Sequence, residues 1–420
     1  MRVLIVSHNV FSRTNNMGKT LLSYFRGFSP EETAQFYIHS EVPTDDTVCR
    51  NYFRFTDKDA IRALNPFRRQ GRSFGPDEID TQRTTPRTDS GLVSDAYRVG
   101  QKRTPLIYLL RNLLWRLGRW DTPELRQWVR RFDPDVIFFA SGDYSFMYRV
   151  ACRIADIAGK PLVTVCMDDY YLNNRNHTSL LGRIQHRRFM KTVRATVARS
   201  SLILTICDSM ARAYETLLGK PCRVLHTPAP VMEVSPDANP ETISYIGNLI
   251  NGRNQSLVTL GRAWKRLSHC CIDVFSTEKD PRILAPLTEE NGIRFHGAAT
   301  ADQIPEIMAR SAAVIHTESF EPEVQDLVRF SVSTKIAESL MYGPPLIAYG
   351  PLGIASMDYL KEHDAAFVIT DQDDPRQRLK AFREDAALRQ RILNNARALA
   401  KRNHDPAANT ANIRRWLSQL

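Results

Sequence analysis

The strongest constraint on the fold is an alternation of short, nearly continuous apolar segments with amphipathic helical stretches. The apolar segments are residues 2–6, 135–140, 161–166, 201–206, 242–247, 272–275, 293–296, 313–316 and 345–349. Strands that are apolar on both faces are typical of parallel sheets covered by helices on each side. The pattern therefore predicts an α/β protein built on doubly wound parallel sheets.

A proline-rich segment interrupts this alternation near the middle of the chain. Prolines cluster in residues 227–240, and the alternation resumes directly afterwards. Proline-rich linkers commonly separate domains, and 420 residues exceed what one core usually organises. We predict two Rossmann-like domains, 1–230 and 231–420, facing across a cleft at the carboxyl ends of their strands. We also expect a flexible insertion near residues 66–104, and the last helix is a candidate for packing back on the first domain.

The basic charge of the chain is confined to its first half. The formal net charge is +11, residues 1–230 hold 35 Lys or Arg against 22 Asp or Glu, and the remainder is slightly acidic. No helix-turn-helix, zinc-finger or RNA-recognition motif accompanies this charge. The distribution therefore favours an anionic membrane surface or a phosphorylated ligand over nucleic acid.

The cysteines and the hydropathy of the chain predict the cellular compartment of the protein. The 7 cysteines form no CxxC pair and show no zinc-ligand spacing. No apolar run approaches the roughly 20 residues of a membrane-spanning helix, and no signal sequence precedes the first strand. These features predict a cytoplasmic protein with reduced thiols, with attachment to the inner face of the cell membrane as an option.

One segment of the second half carries a specific motif. Residues 330–351 read FSVSTKIAESLMYGPPLIAYGP, which predicts a helix leading into an apolar strand. This segment resembles the donor-site helix and following strand of bacterial GT-B glycosyltransferases of the large retaining family (group 1, family 4-like) that builds surface polysaccharides. Three weaker matches extend the resemblance over most of the chain outside the insertion: residues 133–137, 247–253 and 294–297.

The resemblance implies a GT-B fold whose second domain binds a nucleoside-diphosphate sugar. Ser333 and Thr334 would direct backbone N–H groups and the positive end of the helix dipole at the diphosphate. Lys335 would add positive charge, and Glu338 would accept hydrogen bonds from the ribose hydroxyls. The alternative is that Ser333 only caps a helix whose Glu338 faces water.

Two departures from the family pattern concern the phosphate and sugar contacts. The family places an Arg and a Lys after the first strand of the second domain, whereas this chain has Asn248 and Arg253 there. Arg253 is thus the candidate diphosphate ligand, with a solvated surface arginine as the alternative. The family's paired glutamates are interrupted because Phe330 lies eight residues before Glu338. Glu318 is then the candidate for contact with the transferred sugar, the alternative being an ordinary loop carboxylate.

In the first domain, Gly18 and Lys19 resemble the glycine-containing loop that approaches the donor phosphates in this family. The upstream glycine of a Walker A motif is absent, and a plain strand-to-helix turn is the alternative.

Two carboxylates, Asp168 and Asp169, follow an apolar strand. A carboxylate at that position can accept a proton from the acceptor hydroxyl or orient it. Helix capping is the alternative, and no residue separates the pair as a metal-binding DxD motif would require. His8 and His296 are further strand-end candidates without an assigned role.

Together these features predict transfer of a hexosyl-type sugar from a nucleoside-diphosphate sugar to a hydroxyl of a glycan or lipid-linked glycan. The chemistry would need no metal and no further cofactor, and retention of the anomeric configuration follows from the resemblance alone. A sugar-nucleotide epimerase on the same fold and a non-catalytic nucleotide- or glycan-binding scaffold are the alternatives.

Two helical patterns predict that the first domain docks on an anionic membrane. Leucines at positions 106, 109, 110, 113, 114 and 117 share one face of a helix, although for these residues alone we favour packing on the sheet. The stronger argument is a basic stripe on a second helix, formed by Arg183, Arg187, Lys191 and Arg194.

Overall fold

The computed structural model of the chain describes residues 1–13, 16–65, 71–81, 104–172, 179–234 and 239–420. These residues form two compact α/β units. The first unit comprises Met1–His226 and Asn409–Leu420, and the second comprises Thr227–Ala408. The chain thus leaves the first unit at the start of the proline-rich segment and returns to it within its last helix.

The first unit is built on an eight-stranded sheet. Its strands are β1 (Val3–Ser7), β2 (Thr33–Tyr37), β3 (Tyr52–Arg54), β4 (Arg72–Phe74), β5 (Val136–Ser141), β6 (Leu162–Cys166), β7 (Ser200–Thr205) and β8 (Cys222–Val224). They are ordered β4-β3-β2-β1-β5-β6-β7-β8, and only the β3–β4 pair is antiparallel among these strands. All residues of β1 and β6 are buried, so both faces of the sheet are covered. This double burial explains the continuous apolar runs in the sequence.

Helices cover both faces of this sheet. They are α1 (Asn16–Phe25), α2 (Asp57–Arg62), a short 3₁₀ turn (Pro76–Glu78), α3 (Pro105–Leu117), α4 (Pro123–Phe132), α5 (Ser145–Ala158), α6 (Leu180–Arg199) and α7 (Asp208–Leu218). Local sequence sets several of their starts. Thr104 and Thr122 accept hydrogen bonds from the third residue of α3 and α4, and a proline follows each cap.

Four of the six leucines of α3 do not pack on the sheet as predicted, whereas Leu109 and Leu114 are half-buried. Leu106, Leu110, Leu113 and Leu117 are each more than half exposed, whereas the buried residues of α3 are Tyr108 and Trp115. The face of α3 that turns inwards is fixed by polar contacts with α2. Trp115 Nε1 donates to Asp57 Oδ1 over 2.7 Å, and Arg111 Nε donates to Asp57 Oδ2 over 2.8 Å.

Part of the insertion predicted at residues 66–104 is described. Residues 71–81 contain β4, which extends the sheet antiparallel to β3. Phe74 on this strand is buried, and the Arg54 guanidinium lies 4.9 Å from its ring centroid. Gly71 enters the strand with a φ of 77°, a conformation that glycine adopts without strain. Residues 66–70 and 82–103 lie outside the described part of the chain.

The last helix, α16 (Pro406–Leu417), contributes to the core of the first unit. Ile413 and Leu417 join the buried cluster that contains β1. Arg414 Nη2 pairs with Glu32 Oε2 at 2.6 Å, and the Arg414 guanidinium lies 4.1 Å from the centroid of the Phe28 ring. The C-terminus of the chain is therefore held by apolar and ionic contacts with the first unit.

The second unit is built on a six-stranded, fully parallel sheet. Its strands are β9 (Asn239–Ile246), β10 (Ile272–Phe275), β11 (Ile293–Gly297), β12 (Ser311–Thr317), β13 (Leu346–Tyr349) and β14 (Phe367–Ile369), in the order β11-β10-β9-β12-β13-β14. Its helices are α8 (Arg253–Ser268), α9 (Pro281–Leu284), α10 (Gln303–Arg310), α11 (Pro322–Val328), α12 (Thr334–Tyr342), α13 (Ala355–Glu362), α14 (Pro375–Glu384) and α15 (Ala386–Asn403). No helix in the described ranges combines the length and apolarity needed to cross a membrane.

Each sheet has one point at which the strand order reverses. In the first unit this switch point lies between β1 and β5, and in the second unit it lies between β9 and β12. Open α/β sheets bind their ligands at the carboxyl ends of the strands beside such a point. The two switch points are therefore where functional side chains are expected.

Candidate functional site

A buried ion pair occupies the switch point of the second sheet. Arg253 opens α8, which follows β9, and Glu318 directly follows β12. Arg253 Nη2 lies 3.1 Å from Oε1 and 2.9 Å from Oε2 of Glu318, and Nε lies 3.2 Å from Oε2. The Glu318 side chain is 1% exposed and that of Arg253 is 13% exposed. Arg253 is thus fixed at the carboxyl edge of the sheet rather than solvated.

Further hydrogen bonds fix the orientation of both partners. Arg253 Nε donates to the carbonyl oxygen of Thr317 over 3.2 Å, and Arg253 Nη1 donates to Asn248 Oδ1 over 2.6 Å. Ser256 Oγ donates to the backbone oxygen of Glu318 over 2.8 Å. Asn248 therefore helps to position Arg253.

Glycines allow the loops to close around this pair. Gly252 has a φ of 72°, and a Cβ at this position would collide with Ser319. A Cβ at Gly350 would lie 3.1 Å from Glu318 Cβ. The loops after β9, β12 and β13 thus meet at the switch point with little free space.

Glu318, the candidate for contact with the transferred sugar, has Arg253 as its ionic partner. Burial raises the pKa of its carboxyl group, whereas the charge and hydrogen bonds of Arg253 lower it. The bidentate contact stabilises the ionised form, so we assign Glu318 the role of holding Arg253. Contact of Glu318 with the transferred sugar stays a prediction from the sequence.

His316 lies beside this ion pair as a neutral side chain. Its Nε2 is 3.4 Å from Glu318 Oε1, without a hydrogen bond to that atom or to another described group. Burial and the nearby Arg253 charge lower the pKa of His316 to about 3. The imidazole therefore adds no positive charge near neutral pH.

The helix start predicted at Ser333 and Thr334 is present at α12. Ser333 is its N-cap and accepts a hydrogen bond from Lys335 N over 3.3 Å. Thr334 is exposed, and Lys335 Nζ lies 3.5 Å from Glu338 Oε2. Glu338 is half-buried. The structure describes no hydrogen bond or ion pair between these residues and Arg253, so α12 and α8 contribute separate polar groups.

The predicted phosphate loop of the first unit is helical. Gly18 and Lys19 lie in the first turn of α1, which begins at Asn16. A Cβ at Gly18 would lie 2.6 Å from Val10 O and 2.7 Å from Ser12 Cβ. Gly18 therefore permits close packing of α1 on the loop after β1, while Lys19 is exposed.

Asp168 and Asp169 shape the loop that follows β6. Asp168 Oδ1 accepts a hydrogen bond from Asp169 N over 2.8 Å. Asp169 Oδ1 accepts from Tyr171 N, Leu172 N and Tyr214 Oη over 3.1, 3.0 and 2.7 Å. Oδ1 of Asp169 thus caps the loop, and Oδ2 is the candidate atom for proton transfer.

Polar and aromatic side chains form a group at the switch point of the first sheet, and no sequence pattern predicted this group. His8 follows β1, and its ring stacks on that of Tyr144, which follows β5, with centroids 6.0 Å apart. Arg111 lies 4.1 Å from the centroid of the Tyr144 ring and pairs with Asp57. His39, after β2, lies 5.8 Å from His8 between ring centroids. Only His8 had a sequence signal, its position at the end of the first strand.

Both histidines of this group are held in the neutral form. Desolvation, reinforced by Arg111, lowers the pKa of His8 to about 4, and burial also lowers the pKa of His39. His8 Nδ1 lies 3.0 Å from Asn9 Oδ1. An amide oxygen can only accept a hydrogen bond, so Nδ1 carries the proton and Nε2 presents a lone pair. His296, the other strand-end histidine, lies in the second unit, where it is exposed and pairs at 2.7 Å with Asp273 on the neighbouring strand.

Comparisons with known proteins agree with this architecture. The family model described as Glycosyltransferase Family 4 matches residues 80–231, and the one described as Glycosyl transferase-like matches residues 254–415. A comparison with curated protein sequences gives no match.

Two solved structures share the fold over the whole chain. Anabaena HepE, crystallised with UDP-glucose, is 16% identical with a TM-score of 0.58, and the alignment covers 100% of both chains. Sucrose-phosphate synthase from Thermosynechococcus elongatus is 10% identical with a TM-score of 0.59, covering 100% of this chain and 99% of the other. The two doubly wound α/β units and the fold shared with these two structures confirm the predicted GT-B fold class. With glycosyltransferase models matching a segment of each unit, the chain is a GT-B glycosyltransferase.

Proposed function

We propose that this glycosyltransferase moves a hexosyl group from a nucleoside-diphosphate sugar to a hydroxyl of a glycan or lipid-linked glycan. The observation that carries the proposal is Arg253, a guanidinium fixed at the switch point of the second sheet by Glu318 and Asn248. A preorganised cation at this position suits a diphosphate, because its side chain is already ordered before the ligand arrives.

The proposed donor site combines Arg253 with the start of α12. Ser333 and Thr334 offer backbone N–H groups to the diphosphate, and Lys335 adds a charge. Glu338 accepts hydrogen bonds from the ribose. In the first unit, Gly18 brings the α1 start close to the β1 loop and Lys19 is exposed, and both remain candidate donor ligands by family resemblance alone.

The proposed chemistry needs no metal. Charge develops on the departing diphosphate and is stabilised by fixed cations and the α12 dipole. The glycosidic bond to the diphosphate breaks, a bond to the acceptor oxygen forms, and the acceptor proton leaves to a base. Retention of the anomeric configuration is part of the proposal by family resemblance.

The proposed acceptor site lies at the carboxyl edge of the first sheet. Asp169, with Asp168 beside it, is the candidate to orient the acceptor hydroxyl, as its Oδ2 is not used by the hydrogen bonds that cap the loop. His8 supports the same assignment, because a neutral imidazole with a free lone pair accepts a hydrogen bond from a hydroxyl.

The proposed location is the cytoplasmic face of an anionic membrane, where lipid-linked acceptors occur. The predicted basic stripe supports it, because Arg183, Arg187, Lys191 and Arg194 are all exposed on α6. Each such residue near an anionic surface contributes about 1 kcal/mol.

Nucleotide release tests the function. The protein is incubated with UDP-glucose, the ligand of the Anabaena HepE crystals, and then with other sugar nucleotides. Each reaction is run with and without bacterial lipid extract, and with and without EDTA. Release that needs extract and tolerates EDTA is expected, and NMR of the product gives the anomeric configuration. Isomerisation of the donor would favour an epimerase, and binding without turnover would favour a scaffold.

Two arginine variants on α8 test whether nucleotide release depends on the proposed donor site. Arg253→Lys keeps a charge opposite Glu318 but loses the bidentate fork, so we expect at least about tenfold slower release. Arg262→Gln is the matched control, since Arg262 is exposed on the same helix. Equal activity of Arg253→Lys and wild type would contradict the donor-site assignment.

A further inference from the structure

A row of exposed leucines runs along α3. Leu106, Leu110, Leu113 and Leu117 are 57%, 57%, 51% and 59% exposed. Their spacing of four, three and four residues places them on one side of the helix. The opposite side is fixed to the protein by Tyr108 and Trp115, so the row cannot turn inwards without breaking the Asp57 contacts.

Neighbouring helices expose further large apolar side chains. α3 packs against both α2 and α6. Leu180, Leu181 and Ile184 in the first turns of α6 are exposed, as are Ile61 in α2 and Leu64 just after that helix. We call the exposed residues of α3 and of the start of α6 the leucine surface. Clusters of this kind on a monomer mark an interaction site.

The charges around the leucine surface indicate the chemistry of its partner. α3 and α6 contain basic residues but no Asp or Glu. On α6, Arg183, Arg187, Arg188, Lys191 and Arg194 are all exposed. An apolar row beside a stripe of basic residues fits an interface with anionic headgroups above an apolar layer.

The same charges disfavour a second copy of this chain as the occupant. A two-fold dimer would bring identical surfaces together. The basic stripes would then approach each other without acidic partners on either helix, and like charges at an interface weaken association.

We propose that the leucine surface inserts into the headgroup and acyl boundary of a membrane that contains anionic lipid, with the basic residues of α6 binding the headgroups. The inference rests on the proposed function and deepens it, because it assigns the surface from which a lipid-linked acceptor is reached. It also adds an apolar component to attachment, which charge attraction alone does not supply. The apolar component resists salt, whereas the ionic component is screened.

Liposome sedimentation separates these components. Wild-type protein is tested with phosphatidylcholine vesicles and with vesicles containing about 30% phosphatidylglycerol, at low and at high salt. Three variants are compared: the quadruple change of Leu106, Leu110, Leu113 and Leu117 to Gln, the quadruple change of Arg183, Arg187, Lys191 and Arg194 to Gln, and the control Leu352→Gln. Leu352 is exposed in the second unit. Circular dichroism and thermal unfolding verify that each variant folds.

We expect wild type to bind anionic vesicles at low salt and to keep a measurable bound fraction at high salt. The leucine variant is expected to lose this salt-resistant fraction and to bind at least about tenfold more weakly at low salt. The basic variant is expected to lose preference for anionic lipid, and Leu352→Gln to match wild type. Binding that is unchanged in the leucine variant, or no binding by wild type, overturns insertion.

Two further measurements complete the test. A wild-type dimer that dissociates in the leucine variant, without vesicle binding, identifies a second copy as the occupant and overturns the proposal. Nucleotide binding by calorimetry in the absence of lipid reports on the donor site alone, so failure of membrane insertion and failure of the proposed function give different results.

Discussion

Arg253 and Glu318 form a nearly buried bidentate ion pair, with Nη2 of the arginine 2.9 Å from Oε2 of the glutamate. The two residues are 65 positions apart in the chain, yet they meet where β9 and β12 end side by side. The pair joins the loops of two neighbouring strands at the carboxyl edge of the sheet.

Removing the charge of Arg253 alone should strongly destabilise the protein. Arg253→Met leaves the Glu318 carboxylate buried without its partner, which costs about 3–5 kcal/mol. Adding Glu318→Gln removes the uncompensated charge, so the double variant should recover at least about 2 kcal/mol. Urea unfolding of both variants measures this. A double variant no more stable than Arg253→Met would show that the pair is not the dominant interaction there.

Glu338→Ala should weaken binding of the donor nucleotide without unfolding α12. Loss of one charge-assisted contact to the ribose corresponds to about 1.5–3 kcal/mol, or roughly 10- to 150-fold in Kd. Calorimetric titration with nucleoside diphosphates measures it. Glu384→Ala is the control, since Glu384 faces Lys380 at 3.9 Å in an exposed pair of the same unit. Equal affinities for the two variants would remove the ribose assignment.

Asp169→Asn should slow transfer about 100-fold or more while nucleotide affinity stays unchanged. The amide keeps an Oδ1 that can accept the hydrogen bonds from Tyr214 and the loop, so the variant removes the charge and spares the cap. Asp169→Ala, by contrast, should also lose about 1–3 kcal/mol of stability. Wild-type rates in Asp169→Asn, with Asp156→Asn as the surface control, would reduce Asp169 to a capping residue.

Acid should destabilise the protein partly through His316. Its pKa is about 3 in the folded state against 6.5 for the ordinary imidazole, so between these values the unfolded chain binds one more proton. The free energy of unfolding therefore falls as pH is lowered from about 6.5 towards 3, by up to roughly 1.4 kcal/mol per pH unit from this residue.

Replacement of His316 by Gln tests how much this residue contributes to the pH dependence of the free energy of unfolding. Urea unfolding between pH 7 and 4.5 should give a shallower pH dependence for His316→Gln than for wild type, although His8 leaves part of the slope in place. His296→Gln, on the exposed end of β11, serves as the control. The same slope in wild type and His316→Gln would show that His316 protonates in the folded state.

Several elements were predictable because local sequence specifies them. The apolar runs at β1, β5, β6 and β7 indicate strands buried on both faces, whatever their neighbours are. The resumption of the alternation at β9 indicates a second sheet. The cap at Ser333 is likewise local, since Ser333 Oγ and Lys335 N are two residues apart.

Other features depended on contacts that no local pattern contains. The sequence of α3 shows an apolar side, but an apolar side packs on a core only if no other side binds more strongly. Here Asp57, 58 residues before Trp115, fixes the side bearing Trp115 and Arg111 inwards, so the leucines face outwards.

The sequence by itself determined the class of fold and the class of enzyme, and it named the candidate residues of the donor site, which stay predictions. Only the tertiary structure decided which opposite charge each of these charged side chains pairs with. Glu318 pairs with Arg253 because β9 and β12 end side by side, and Arg111 pairs with Asp57 because α3 packs against α2. In both places the charged groups have lost water contacts, so each charge is stable only where an opposite charge or a hydrogen-bonding group is within reach.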